Sequence, residues 1–186
     1  MGAPLTTLLL QSLRLNLRPY RAEDWAHVHE YGSDPEFSKF EAWGPNSEED
    51  TKNFISDAVL QWHLPIPFRF EFATCLRESG RLIGGVGIRR EAPTSSVGNL
   101  GWAIHPEWQN QGFATEAARR LLEFGFHELG LTVVYATCDQ RNLASARVMQ
   151  KLKMREAGVL PGDRMQKGHL RNTIRFELTR DEFQAL

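Results

Sequence analysis

The order of features between residues 100 and 129 restricts the fold of this chain more than any other stretch. Residues 100–104 are a short apolar run that reads as a strand. Pro106 ends it, because proline has no amide to continue a sheet ladder. Gly112 then opens a turn, and from Ala114 onward apolar or small residues recur at Ala117, Ala118, Leu121, Leu122, Gly125, Phe126 and Leu129. That spacing predicts a helix with one buried face, stopped by Gly130. A strand, a glycine turn and a helix N-terminus gather several unpaired backbone N–H groups around one point, which is a site for an anion, most often phosphate. Most turns of this kind only connect two elements, so the geometry by itself names no ligand.

Composition narrows the partners. With 186 residues, 41% of them hydrophobic, the chain suits one domain with a sizeable core, residues 1–12 reading as a flexible extension. The 22 basic and 23 acidic residues leave a net charge of -1, which does not supply the basic face that nucleic acid requires. A small molecule or a protein segment is the expected partner. Cys75 and Cys138 are far apart and lie within apparent strands, so they read as buried reduced thiols. His27, His29, His63, His127 and His169 lack metal-ligand spacing, and no metal is expected. Leu8, Leu9 and Leu10 have neither a basic region before them nor the length of a membrane span. The cytoplasm is therefore the expected location, without membrane attachment.

Read in order, residues 13–18 alternate leucine with polar residues and predict a first strand ended by Pro19. A helix over residues 22–31, with Trp25 and Val28 on its buried face, ends before Asp34 and Pro35. Ser47, Glu48, Glu49 and Asp50 make a capping-box-like start for a second helix carrying Phe54, Ile55, Ala58, Val59 and Trp62. Phe68, Phe70 and Phe72 alternate with Arg69 and Glu71 in a strand that runs to Leu76. Residues 82–88 return, with Gly84, Gly85 and Gly87 signalling a bulge or a close backbone approach. Beyond the central helix, residues 133–138 form a strand of β-formers. A right-handed crossover lays it parallel to the strand ending at Ile104. Asn142 caps a further helix. Residues 154–160, a turn at Pro161 and Gly162, residues 174–178 and a cap at Thr179 complete the chain. The class is mixed α/β: a mostly antiparallel sheet with one parallel step, flanked by helices.

The string Gln109-Asn110-Gln111-Gly112-Phe113-Ala114 fits the pattern R/Q-x-x-G-x-G/A, and here the chain resembles the GNAT superfamily of acyl-CoA-dependent N-acetyltransferases. Residues 13–19 with Asp24, then Ser33-Asp34-Pro35, residues 80–85, Gly101-Trp102, Glu116-Ala117, and Asn142 with Ser145, Val148 and Lys151-Leu152 look like its ribosomal-protein N-terminal acetyltransferase branch. Lys153-Met154 stands where members usually carry Gly-Phe. The resemblance implies a sheet whose two parallel middle strands splay apart, here those ending at Ile104 and Cys138, and acetyl-CoA as the co-substrate. It further implies that backbone near Ala103 and Ile104 pairs with the pantetheine arm. The amides of Gln109, Asn110, Gln111, Gly112, Phe113, Ala114 and Thr115 would hold the pyrophosphate. Asn142 would touch the arm from the opposite wall, and Ser145 would stand near the thioester sulfur.

Direct acyl transfer needs a neutral amine, donors for the oxygen that gains charge and a proton source for the departing thiolate. Ser145 is the candidate proton donor, although a serine in a first helical turn is also an ordinary cap-region residue. Glu71 alternates away from the phenylalanines and is the candidate base, although a charge on an outer strand face is commonly just solvated. His105, Asp163 and Glu177 remain alternatives. An α-amine with a pKa near ~8 is roughly 10% neutral at pH 7, against under ~0.1% for lysine, so a site without a strong base favours a protein or peptide N-terminus. A small amine such as a polyamine or an antibiotic, or an acyl-CoA-binding module without turnover, are the rival readings. The substrate pocket is expected from residues 37–45, 65–68 and 161–170. A homodimer is as compatible with this reading as a monomer.

Overall fold

The computed structural model describes residues 8–186. It contains a sheet of eight strands: β1 (Leu10–Gln11), β2 (Leu15–Pro19), β3 (Arg69–Leu76), β4 (Leu82–Arg90), β5 (Val97–Ile104), β6 (Val133–Asp139), β7 (Arg155–Gln166) and β8 (His169–Thr179). Their spatial order is β1-β2-β3-β4-β5-β6-β8-β7, and the pair β5 and β6 alone is parallel among them. The helices are α1 (Trp25–Gly32), α2 (Glu48–Gln61), α3 (Phe113–His127), α4 (Leu143–Lys151) and α5 (Arg180–Gln184).

Alternation along β3 decides which helix lies on which face. Phe70 and Phe72 point into a cluster with Leu121, Leu122 and Phe124 of α3 and Met149 of α4, whereas Ala73 and Cys75 point into a second cluster with Val28, Tyr31, Ile55 and Ala58 of α1 and α2. Burial of a side chain the size of Phe72 stabilises by about 1.5–3 kcal/mol, so this face assignment outweighs any single surface interaction. Phe124, which the helical spacing passes over, stands edge-on to Phe70 and Phe72 with both centroid separations 5.6 Å. Trp62 belongs to the core, packed on the same two rings, and its indole N–H donates to the carbonyl of Glu71.

Caps set the helix ends as the sequence predicts. Ser47 and Asp50 form a reciprocal capping box at α2, Thr179 and Glu182 another at α5, and the Asn142 side chain accepts from the amide of Ser145 at α4. Lys153 adopts a left-handed conformation, φ 63°, directly after α4. A glycine commonly serves there, and the chain turns without one so that Met154 is buried.

Two boundaries differ from expectation. The first long strand starts at Leu15, because residues 12–15 make a turn in which the amide of Ser12 bonds the carbonyl of Leu15, leaving Leu13 exposed. Within the stretch read as an extension, Leu10 is buried and pairs with Leu17. At the other end, Pro161 and Gly162 do not turn the chain. Gly162 takes φ +57° inside β7, in a register shift, and its amide is held by the side chain of Asn172 on β8. The hairpin turns at Lys167 and Gly168, both at positive φ, as a two-residue turn of the primed type requires.

Residues 97–99 pair with residues 133–135, and there the parallel ladder stops although both strands continue, to Ile104 and to Asp139. The middle of the sheet is therefore open as a wedge. Cys75 and Cys138 are free and buried, and burial pushes the Cys138 thiol up to about 11.

Candidate active site

The wedge exposes backbone. In an antiparallel ladder the residues alternate between bonding the neighbour and facing away from it. The amide of His105 bonds the carbonyl of Ile83 on β4, so on β5 Ile104 and Trp102 turn their N–H and C=O toward the gap, while Ala103 turns its own to β4. The backbone expected near Ala103 and Ile104 is thus that of Trp102 and Ile104. Ala103 contributes its surface.

A cavity of about 650 Å³ follows this gap. Ala103, Ile104, Gln109, Asn110, Gly112, Phe113, Ala114 and Thr115 line one side of it, and Asn142 and Ser145 line the other. Gln111 is not in its wall: its side chain donates to the carbonyl of Glu107 and ties down the turn. Gln109 does likewise for the carbonyl of Ile104, at 2.9 Å. Gly112 caps α3 at φ 84° and offers no side-chain cap, so the first amides of the helix face the cavity bare. Asn110, at φ 59°, completes the tight turn. Arg147 and Lys151, one turn apart on α4, add two cations; Lys151 belongs to the stretch that carries the resemblance, and Arg147 was not singled out, although its i, i+4 spacing to Lys151 beside Ser145 was available as a signal. Among the described residues the Ser145 hydroxyl makes no hydrogen bond.

A second cavity, of about 690 Å³, lies on the α1 and α2 side of the sheet and shares Glu41, Trp102 and Ala103 with the first. Its floor includes Gly85, Gly87 and Gly101, and Glu71 faces it. Burial raises the Glu71 carboxyl above its ordinary range, against the lowering influence of Arg69 and Arg89. Its wall includes Tyr20 and Tyr31, whose phenols burial also raises. Residues 41 and 43–46 close one side, held from the β7–β8 hairpin: Gln166 donates to the carbonyl of Glu41, and the Lys167 ammonium to the carbonyls of Ser38 and Trp43. Of the three loops expected to build this pocket, 37–45 does so; 65–68 does not line it, and 161–170 acts only as this buttress. Glu41, at the junction of the two cavities with its carboxyl raised by burial, is a candidate that sequence reading missed, because nothing in its loop has a period.

The alternative bases stand elsewhere. His105 is packed against Tyr31 and accepts from the amide of Glu107. Asp163 accepts from Thr173, and Glu177 pairs with Arg175 and Arg155. None of the three lines either cavity. The described residues contain no His, Cys, Asp and Glu grouping able to hold a metal, and no helix long and apolar enough to cross a membrane.

The acetyltransferase (GNAT) domain pattern matches residues 14–155. This chain belongs to the GNAT acetyltransferase family. Over 145 residues it is 35% identical to the uncharacterized N-acetyltransferase YnaD of Bacillus subtilis strain 168, which covers 78% of this chain and 81% of that one. Over 173 residues it is 26% identical to the spermidine N(1)-acetyltransferase of Escherichia coli K12, covering 92% and 89%. The crystal structure of a GNAT-family acetyltransferase from Bacillus anthracis superimposes with a TM-score of 0.85 at 28% identity, over 94% of this chain and 100% of that one. GNAT enzymes use acetyl-CoA, and the wedge and the bare turn at Gly112 fit an extended arm ending in phosphates.

Proposed function

We propose that this protein transfers the acetyl group of acetyl-CoA directly to the α-amine of a protein or peptide N-terminus. The observation that carries the reading is the meeting of the two cavities at Trp102 and Ala103, at the mouth of the wedge. One cavity suits the extended thioester arm, and the other brings an amine to its reacting end.

Acetyl-CoA supplies the acetyl group on a thiol leaving group. The backbone of Trp102 and Ile104 orients the arm as an added strand, and the amides from Gly112 to Thr115 receive the phosphates. The helix terminus contributes about 0.3–1 kcal/mol, at best ~2 kcal/mol, and micromolar binding needs about 8 kcal/mol, so strand pairing and apolar packing carry most of the affinity. Asn142 caps α4 and thereby sets Ser145 in the opposite wall, where its free hydroxyl gives a proton to the departing sulfur. Glu71, with its raised pKa, receives the proton of the amine.

The relative that acts on spermidine argues for a polyamine acceptor. Charge pairing argues against it here. Asp50 is committed to the cap of α2, and Glu71 lies 3.8 Å from Arg69, which leaves Glu41 as the one acid of the acceptor cavity without such a commitment. A polycation needs more. Thiol release from acetyl-CoA tests the reading across a peptide with a free α-amine, the same peptide blocked at the N-terminus but carrying lysine, spermidine and an aminoglycoside. Release with the first and little with the others supports it; release with spermidine alone replaces it. Binding without release from any acceptor reduces the protein to an acyl-CoA-binding module.

A further inference from the structure

The floor of the acceptor cavity is ordered along the strands. In the ladder of β3, β4 and β5 the first row is Ala73, Gly85 and Ala103, the second is Glu71, Gly87 and Gly101, and the third is Arg69, Arg89 and Asn99. The first row lies at the junction with the cofactor cavity. At about 3.4 Å per residue, the third row is ~7 Å beyond the second and ~14 Å beyond the first. The middle of the floor is open in one place. The space a Cβ would take at Gly85 is filled by the Tyr20 hydroxyl and at Gly87 by the Glu71 carboxylate, whereas at Gly101 nothing stands within 4 Å. An extended acceptor can therefore pass over Gly101 toward the arginines.

Those arginines are not equivalent. Arg69 is tied to Asp57 at 2.6 Å and to Glu71 at 3.8 Å. The Arg89 guanidinium has no hydrogen bond and no ion pair among the described residues, although its charge reaches Glu71 and Tyr135. Like charges directly opposite on paired strands repel, and here both guanidinium groups line one cavity. A carboxylate lying on Arg89 removes that repulsion with charge-assisted hydrogen bonds.

We propose that Arg89, set opposite Arg69, is an anion subsite at the end of the acceptor cavity away from Ala103. The preferred acceptor then carries a carboxylate about 7–14 Å from its reacting amine. The inference rests on the peptide α-amine reading above and names its substrate class: an N-terminus with an acidic group at its second to fourth residue. The carboxylate can come from an acidic side chain or from the free end of a short peptide.

The test compares kcat/KM for octapeptide amides that begin Ala-Ala-Asp, Ala-Ala-Asn or Ala-Ala-Lys, and for trialanine as free acid and as amide. The full-length enzyme should prefer the Asp peptide to the Asn peptide by about tenfold, as one charge-assisted contact allows, and should disfavour the Lys peptide. In Arg89→Ala the Asp-to-Asn ratio should fall to near one, and in Arg89→Glu the order should reverse in favour of lysine. Ratios taken on one preparation do not depend on the folded fraction. A preference for free trialanine over its amide that exceeds the Asp preference assigns the terminal carboxylate, and the converse assigns the side chain. Acetylation of all the peptides without discrimination, or a ratio unmoved in both variants, overturns the anion subsite alone. Failure to acetylate any peptide with acetyl-CoA bound overturns the peptide reading and this inference with it.

Discussion

A Cβ built on Gly87 would stand 2.1 Å from Oε2 of Glu71. The carboxylate of β3 thus occupies the space that β4 leaves by having no side chain there, and it lies on the cavity floor as a result. Gly87→Ala should push the carboxylate off the floor and lower kcat/KM about tenfold or more, and Glu71→Gln should lower it by about 10²–10⁴. Acetyl-CoA affinity should hold in both, since neither residue lines the cofactor cavity. Steady-state kinetics beside calorimetry measures the two effects separately.

Arg14 and Glu116 fasten the start of α3 to the turn before β2. The Arg14 guanidinium meets Glu116 at 2.7 Å, its backbone amide meets the same carboxylate at 2.7 Å, and its second arm reaches the carbonyl of Gln111 at 3.1 Å. Burial pushes the Glu116 carboxyl up, but the hydrogen bonds from Arg14 and Ser12 outweigh it and hold the pKa below the usual 4.5. A carboxyl depressed in the folded state stabilises above its unfolded pKa and loses that contribution as pH falls through the folded value. Thermal melts should show the wild type above Glu116→Gln at pH 6, with the gap closing progressively as pH drops below about 4.5 and little left near pH 2.

Gly112 stands at φ 84°, where an L side chain costs about 1–2 kcal/mol. An added Cβ would also lie 3.5 Å from the Arg14 guanidinium. Gly112→Val should weaken acetyl-CoA binding at least about tenfold by tilting the bare amides away from the phosphates. Titration calorimetry reads this directly.

Ser145→Ala should lower turnover about 10²-fold with little change in cofactor affinity, as the loss of a general acid predicts. Its amide, not its hydroxyl, is what Asn142 holds, so the melting temperature should barely move. An unchanged rate removes Ser145 from the chemistry.

The α3 face, the caps and the alternation of β3 were legible in the sequence because each depends on neighbours within one or two turns. The wedge was legible only through the family resemblance: nothing between residues 97 and 104 marks Asn99 as the last residue to pair with β6. The late hairpin misled for a related reason. Pro161-Gly162 has turn composition, but the side chain of Asn172 keeps Gly162 in the ladder. Lys167 instead turns the chain and donates to carbonyls in residues 38–43, a contact 124 to 129 positions distant that no local pattern encodes. Glu41 was hidden in the same way. Its place between the cavities depends on a loop held from the far end of the chain.

An α-amine acceptor leaves its mark on the product. One peptide carrying both a free N-terminus and an internal lysine, incubated with the enzyme and acetyl-CoA at neutral pH and fragmented in a mass spectrometer, shows where the acetyl group has gone. An enzyme specific for the α-amine leaves a single acetyl group on the first residue. An acetyl group on the lysine side chain with the N-terminus left free would rule out the α-amine as the acceptor.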